Sequence, residues 1–324
     1  MNILITSASR KVSLIKSFQE ALREEGNGQV IAVDVSALAP ALYFADTHYL
    51  VPHSNEPEFL KVLVCLCQQH EVRLVVPTRD EELAVFARHR ERFAEVGTTV
   101  LVPSEKTVNI CQDKHAFVRF CHQHGFATPV SYDLTNLPAQ LSFPLFVRPR
   151  TGKGGRQAVP VDSQQQLELL CRQINAPLVQ EFLSCAEYTV DVFADFSGRV
   201  ISSVPRERLT VVGGEAVVSR TSKNPLLIDE ATRLATALEL IGHNTIQCFL
   251  DNDKVKFIEV NPRFGGAAHL GFAAGAPTPQ FLVKLLKGEA LTPNLGTFRD
   301  NYVMLRYGED FFLEGEAVIE QNFQ

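Results

Sequence analysis

Over its first hundred residues the chain alternates short, continuous apolar runs with segments whose apolar residues recur at helical spacing, and few folds accept that alternation. The runs are Ile3 to Ile5, Val30 to Val33, Leu74 to Val76 and Val100 to Val102. Between them Val12, Leu14, Ile15, Phe18 and Leu22 form one helical stripe. Leu60, Leu63, Val64 and Cys67 form a second, and Leu83, Phe86 and Ala87 a third. Strands that are apolar throughout are buried on both faces, so strands alternating with helices imply a parallel sheet covered on both sides. Ligands of such sheets bind outside the carboxyl ends of the strands. That edge carries Ser7, Ser9, Arg10 and Lys11, then Asp34, then Thr78, Arg79, Asp80 and Glu82. Asp34 could hold a ribose hydroxyl in a dinucleotide fold. The first turn, TSASRK, contains no glycine, however, and the absence of GxGxxG argues against a dehydrogenase. Asp80 and Glu82 also have a plainer reading as carboxylates that favour the dipole of a helix start.

Composition narrows the class further. A length of 324 residues with 45% hydrophobic and 21% charged residues supports two or three packed lobes and excludes disorder or a collagen-like chain. The cysteines, seven in number, lack the spacing of a disulfide scaffold and read as core thiols in a reducing compartment. No apolar run approaches the ~20 residues of a membrane helix. The opening MNILITSASRK reads as a strand and a basic turn rather than a signal peptide, so the expectation is a soluble cytoplasmic protein without a membrane partner. A net charge of −6 argues against nucleic acid. Any anionic ligand must be held by local basic groups.

Residues 104–124 read as one helix capped by Ser104, with a turn at Gly125 and a lobe boundary near Pro129. A strand at Leu145 to Arg148, the loop Pro149 to Arg156 and a strand near Ala158 to Val161 follow. Gly154 and Gly155 let backbone N–H groups approach phosphate oxygens, while Arg148 and Lys153 supply charge. The spacing is not that of a Walker A loop, and an ordinary hairpin fits the same residues. After a helix over 163–173, the strand Leu178 to Leu183 ends in Glu181-Phe182-Leu183, which can present a carboxylate and backbone groups to an adenine edge.

Two hairpins come next. Glu187, Thr189 and Asp191 alternate with apolar neighbours and share a face. In the second hairpin, Thr245 to Leu250 turns at Asp251 to Lys254 into Val255 to Asn261. If Leu250 opposes Lys256, Gln247 lies opposite Glu259, with Asn261 two residues along the same face. Three oxygen-bearing side chains then converge, a set suited to Mg²⁺ completed by substrate phosphates and water. Arg263, in Pro-Arg-Phe-Gly-Gly, would stand beside that metal. Arg206 and Arg208 precede a glycine stretch at 213–214 and could clamp a carboxylate or a γ-phosphate when a loop closes. A solvated charged turn fits them equally. Cys121, His122 and His124 lack the spaced partner pair of a zinc site. His115 and His269 read as packed or surface histidines.

The strings FIEVNPRFGG, LFVRPRTGKGG and LVQEFLSCAEYTVDV, with LITSASRKVSLIKSF, VVPTRDEEL and ICQDKHAF before them, resemble the ATP-grasp superfamily. They are most similar to single-half proteins related to the carbamoyl phosphate synthetase large subunit, over about residues 1 to 290. The resemblance implies an α/β, Rossmann-like pre-ATP-grasp domain over 1–103. A linker helix and small lobe or lid over 104–182 and a large lobe over 183–324 complete a two-lobed α+β ATP-grasp domain. It implies that Lys114, Arg148, Lys153, Gly154 and Gly155 contact phosphates, that Glu181 with the backbone of Phe182 and Leu183 holds adenine, and that Glu187 holds the ribose. Gln247, Glu259 and Asn261 would ligate Mg²⁺, or Mn²⁺ as an alternative, and Arg263, with Arg206 and Arg208, would act on the transferring group. The implied chemistry is ATP-dependent activation of a carboxylate as an acyl phosphate, then attack by an amine, both substrates being small molecules. The resemblance leaves room for a homodimer. One half without a glutaminase argues against making carbamoyl phosphate unaided. Two rival readings are activation of bicarbonate or another small acid with a partner subunit, and an ATP-binding regulatory protein without turnover. The last 35 or so residues carry no motif.

Overall fold

The computed structural model describes residues 1–25, 27–138, 140–152 and 157–315. Its N-terminal part is β1 (Asn2–Ile5), α1 (Val12–Glu25), β2 (Val30–Asp34), a 3-10 turn (Pro40–Phe44), β3 (Thr47–Leu50), α2 (Glu58–Gln69), β4 (Val72–Val76), α3 (Asp80–Ala94) and β5 (Thr99–Val100). The strands form the expected parallel sheet, in the order β3-β2-β1-β4-β5. Ile3, Leu4 and Ile5 are fully buried because α1 covers one face of the sheet while α2 and α3 cover the other. β3, whose residues are all half-buried at the sheet edge, has no continuous apolar run and escaped the sequence pattern.

The expected single helix over 104–124 is two helices, α4 (Glu105–Gln112) and α5 (Lys114–Gln123). Asp113 breaks them. Its backbone is extended, and its Oδ1 accepts the N–H groups of His115 and Ala116, an N-cap that competes with helix continuation. A four-stranded sheet follows, built from β6 (Ser131–Tyr132), β7 (Leu145–Pro149), β8 (Val159–Val161) and, after α6 (Gln164–Gln173), β9 (Pro177–Glu181), in the order β6-β9-β7-β8. β9 ends at Glu181, so Phe182 and Leu183 lie beyond the strand.

The last sheet has six strands. β10 (Ala186–Ala194), β11 (Val200–Val212) and β12 (Glu215–Thr221) are followed by α7 (Pro225–Ala237), β13 (Gly242–Asp251), β14 (Lys254–Asn261), α8 (His269–Ala274), α9 (Thr278–Leu286) and β15 (Val303–Leu305). The order is β14-β13-β10-β11-β12-β15, antiparallel throughout. Tyr188, Val190, Val192, Ile246, Cys248 and Phe257 point to one face and pack under α5 and α7. Their neighbours Glu187, Thr189, Asp191, Thr245 and Gln247 are left on the other, as a period of two requires.

Three expectations change here. Residues 206–212 are strand rather than a loose turn, since Arg206 opposes Thr221, Glu207 opposes Arg220 and Arg208 opposes Ser219. The motif-free tail supplies β15 to the sheet edge. Cys65 is exposed rather than a core thiol, whereas burial pushes the Cys67 and Cys121 thiols up to about 12. The parallel sheet and the six-stranded sheet share a core, in which Phe18 of α1 meets Phe264 edge-on at 5.8 Å. That packing carries the carboxyl edge of the first sheet to the end of β14.

Candidate active site

The open face of the six-stranded sheet carries the polar chemistry. Cross-strand pairing aligns Glu259 with Gln247, Gln247 with Thr189, Thr189 with Arg206 and Arg206 with Thr221, a single transverse row across five strands. The expected pairing of Gln247 with Glu259 is present, although its premise is not. Leu250 opposes Val255 rather than Lys256, and a bulge between Gln247 and Cys248 restores the register beyond it. A bulge re-aims the strand after it. Here it turns Glu259 and Asn261 onto the cleft face.

The row floors a cleft of about 680 Å³ between the six-stranded sheet and the four-stranded one. Lys114 at the start of α5 and Arg148 on β7 enter it from above, and each holds its charge 3.9 Å from Glu259 Oε2. Lys114 Nζ also donates to the carbonyl of Gly152, and Arg148 Nη2 to that of Ile258. Burial lowers the pKa of both cations, with Glu259 opposing the shift. Arg148 Nε has no partner among the described residues. Two buried cations sharing one carboxylate at 3.9 Å leave positive charge uncompensated, the condition that favours an anion.

The oxygen donors lie next to them. Asn261 Nδ2 donates to Glu259 Oε1 at 3.2 Å, and Gln247 Nε2 donates to Glu187 Oε1 at 3.2 Å. Burial raises the Glu187 pKa against the pull of Arg208, whose Nε lies 3.0 Å from Oε1. Among the described residues no three His, Cys, Asp or Glu side chains cluster as a metal cage. One carboxylate with two amides nonetheless fits a hard cation that takes its remaining ligands from phosphates and water.

At the end of β9, Glu181 Oε1 accepts the Val130 N–H at 2.9 Å and Lys256 Nζ at 2.8 Å, so this carboxylate already ties the four-stranded sheet to β14. Phe182 and Leu183 line the cleft beside it. Lys153, Gly154 and Gly155 lie outside the described residues, as does the rest of 153–156.

Arg263 is where the sequence pattern was least complete. Its Nε and Nη2 donate to the two oxygens of Asp80, both at 2.7 Å, and Nη2 also reaches Asn261 Oδ1 at 3.3 Å. Asp80, read from sequence as a helix-start carboxylate, is therefore also the partner of Arg263 across 183 residues. Gly265 packs closely there, since a Cβ would fall 2.7 Å from Thr245 Oγ1 and force that side chain to shift. Arg206 is buried with both Nε and Nη2 on Asp191, at 2.6 and 3.0 Å, which holds that carboxyl well below its ordinary range. Arg208 contacts Glu187 and the Gly214 carbonyl. Arg306, one residue past β15, also lines the cleft, and nothing in the sequence pattern singled it out. Three other groups stand apart from the row. Asp34 accepts the N–H groups of Ser9 and Ser36, Cys121 is a buried thiol, and His124 stacks on Phe120.

Comparison with known proteins bears on the fold and the family. Residues 3–101 match the family described as the PylC-like N-terminal domain, and residues 173–305 match that described as ATP-grasp in the biosynthetic pathway with Ter operon. The carbamoyl phosphate synthase large chain of Thermotoga neapolitana is 28% identical over 302 residues, which is 86% of this chain and 26% of that protein. The chain spans about a quarter of the length of the curated relatives it matches. Among solved structures, the biotin carboxylase of Campylobacter jejuni, in a complex with a β,γ-ATP compound, superposes with a TM-score of 0.74 at 18% identity, over 93% of this chain and 74% of that one. An L-amino acid ligase from Bacillus licheniformis gives 0.68 at 21% identity, over 92% and 77%. No helix among the described residues is long and apolar enough to cross a membrane. Two family matches in chain order, over a parallel sheet and an antiparallel cleft, lead to one conclusion: residues 173–305 match an ATP-grasp family, and the chain is similar to part of the carbamoyl phosphate synthase large chain.

Proposed function

We propose that this protein is an ATP-dependent ligase that activates a small carboxylate as an acyl phosphate and joins it to an amine. The observation that carries the reading is the row Glu259, Gln247, Thr189 and Arg206, with Lys114 and Arg148 held 3.9 Å above Glu259. Lys114 and Arg148 bind the phosphates, with Lys153, Gly154 and Gly155 proposed as further phosphate contacts. Glu181 and the backbone of Phe182 and Leu183 receive adenine, and Glu187 the ribose, which takes the place of its contact with Arg208. Gln247, Glu259 and Asn261 hold Mg²⁺, which when bound neutralises charge on the phosphates. Arg263, fixed by Asp80, sits at the end of β14 where the acyl oxygen would lie. No protein nucleophile is needed. Phosphoryl transfer to a carboxylate is mostly positioning and electrostatic stabilisation, and a cleft lined by oriented guanidinium groups supplies both.

The reading is tested by incubating the protein with Mg·ATP and a mixture of amino acids and small acids. ADP release, with hydroxylamine trapping an acyl hydroxamate, is the expected result. Tight nucleotide binding with neither ADP nor hydroxamate would instead favour a regulatory ATP-binding protein. ADP release with bicarbonate alone would place the chain with enzymes that activate that acid.

A further inference from the structure

β14 holds the four-stranded sheet at two points. Near its start, Lys256 Nζ donates to Glu181 Oε1 at the end of β9, at 2.8 Å, and lies 2.9 Å from Asp251 Oδ2. Further along the strand, the Ile258 carbonyl accepts Arg148 Nη2 from β7 at 3.1 Å. That carbonyl belongs to the residue that the bulge leaves unpaired, since Gln247 opposes Glu259 and Cys248 opposes Phe257. Main-chain bonds fix the surroundings of Glu181. The Phe257 N–H donates to the Ala127 carbonyl at 2.8 Å, the Glu181 N–H to the Val130 carbonyl at 2.9 Å, and the Val130 N–H back to Glu181 Oε1 at 2.9 Å. Both contacts of the carboxylate thus fall on Oε1. Its Oε2 accepts no hydrogen bond among the described residues, while Glu181 lines the cleft with Phe182 and Leu183.

We infer that Lys256 is a positioning residue for base selection: by holding Glu181 Oε1 it fixes the carboxylate with its other oxygen free to accept an exocyclic amino group, so that the cleft selects a 6-aminopurine over a 6-oxopurine. This selection rests on the ligase reading, which places a nucleotide in the cleft, and adds to it the groups that choose the base. An ionised carboxylate accepts hydrogen bonds and never donates. An amino N–H therefore satisfies it, whereas a carbonyl oxygen in the same place sets acceptor against acceptor and leaves both unpaired. Removing the ammonium would leave the carboxylates of Glu181 and Asp251 without their shared cation, and their repulsion would turn Glu181 out of its place. The phosphate end is keyed separately. Arg148 takes its anchor from the Ile258 main chain, which a side-chain substitution at 256 does not remove.

Two bases measured on one protein serve as each other's control. Dissociation constants of Mg·ADP and Mg·IDP are determined by calorimetry on the full chain, where an unfolded fraction lowers the stoichiometry of both alike and leaves their ratio unchanged. Wild type should prefer ADP at least about tenfold, or 1.4 kcal/mol. K256M should cut that preference at least about threefold, the scale of a half-buried ion pair, by weakening ADP more than IDP. K256R, which keeps the charge, should retain most of the preference. E181Q, whose amide can donate to a 6-oxo group, should bring the ratio close to one. Equal weakening of both nucleotides in K256M would reduce Lys256 to a structural tie and overturn the inference. An unchanged ratio in K256M, or a wild type without preference, would overturn it as well while leaving the nucleotide site in place. Failure of wild type to bind either nucleotide would instead sink the ligase reading itself.

Discussion

The carboxyl edge of the parallel sheet and the open face of the antiparallel sheet are both rich in charge, yet they handle it in opposite ways. At the first, Glu82 is 1% exposed and accepts four hydrogen bonds, from Thr6 Oγ1, Ser7 Oγ and the N–H groups of Thr78 and Arg79, at 2.8 to 3.1 Å. Asp34 is used in the same way by Ser9 and Ser36. At the second, Glu259 serves two cations at 3.9 Å, while Arg148 Nε and Arg206 Nη1 are buried without partners among the described residues. A satisfied buried network stabilises turns. An unsatisfied one stores affinity for whatever completes it. Asp80 joins the two regions, since it belongs to the first edge and orients Arg263 in the second.

That contrast can be broken by mutation. The largest effect on folding belongs to Glu82→Ala, which strands two backbone N–H groups and two hydroxyls. It should cost about 3 kcal/mol or more in urea unfolding, with Glu82→Gln milder because one acceptor oxygen remains. The largest effect on turnover belongs to Glu259→Gln. ADP release should fall at least about 100-fold, or 2.7 kcal/mol of transition-state stabilisation, while unfolding free energy falls by less than it does in Glu82→Ala. If Glu259→Gln unfolded the protein as severely as Glu82→Ala, the distinction between a structural and a functional network would collapse.

A smaller effect concerns His269, whose pKa burial lowers to about 4 from an ordinary 6.5. The unfolded chain binds this proton more readily, so stability is complete above pH 6.5 and is lost as pH falls towards 4. Wild type should lose about 2 kcal/mol between pH 7 and pH 5 from this group, and His269→Gln should lose that much less over the same interval. Parallel pH profiles in the two proteins would assign the acid sensitivity to other groups.

Much of the architecture was legible in local pattern. The continuous runs at Ile3 to Ile5 and Val30 to Val33 require burial on both faces, and the alternation around Glu187 and Gln247 requires one polar face. The meeting of Gln247 with Glu259 follows from hairpin pairing, although the pairing of Leu250 is one residue off and only a bulge reconciles the two. The break at Asp113 was missed because a helix-competent stretch and a helix broken by an internal N-cap share the same apolar period.

What the sequence determined by itself is therefore what depends on neighbours along the chain: sheet type, the polar face, the order of the motifs and the kinship they imply. The tertiary structure alone decided the partnerships that span the chain, Asp80 with Arg263, Arg306 with Glu215, and Lys114 and Arg148 with Glu259. Periodicity encodes which way a side chain faces. It carries no information on which distant element packs against that face, because the packing is selected by the shared core that brings the sheets together.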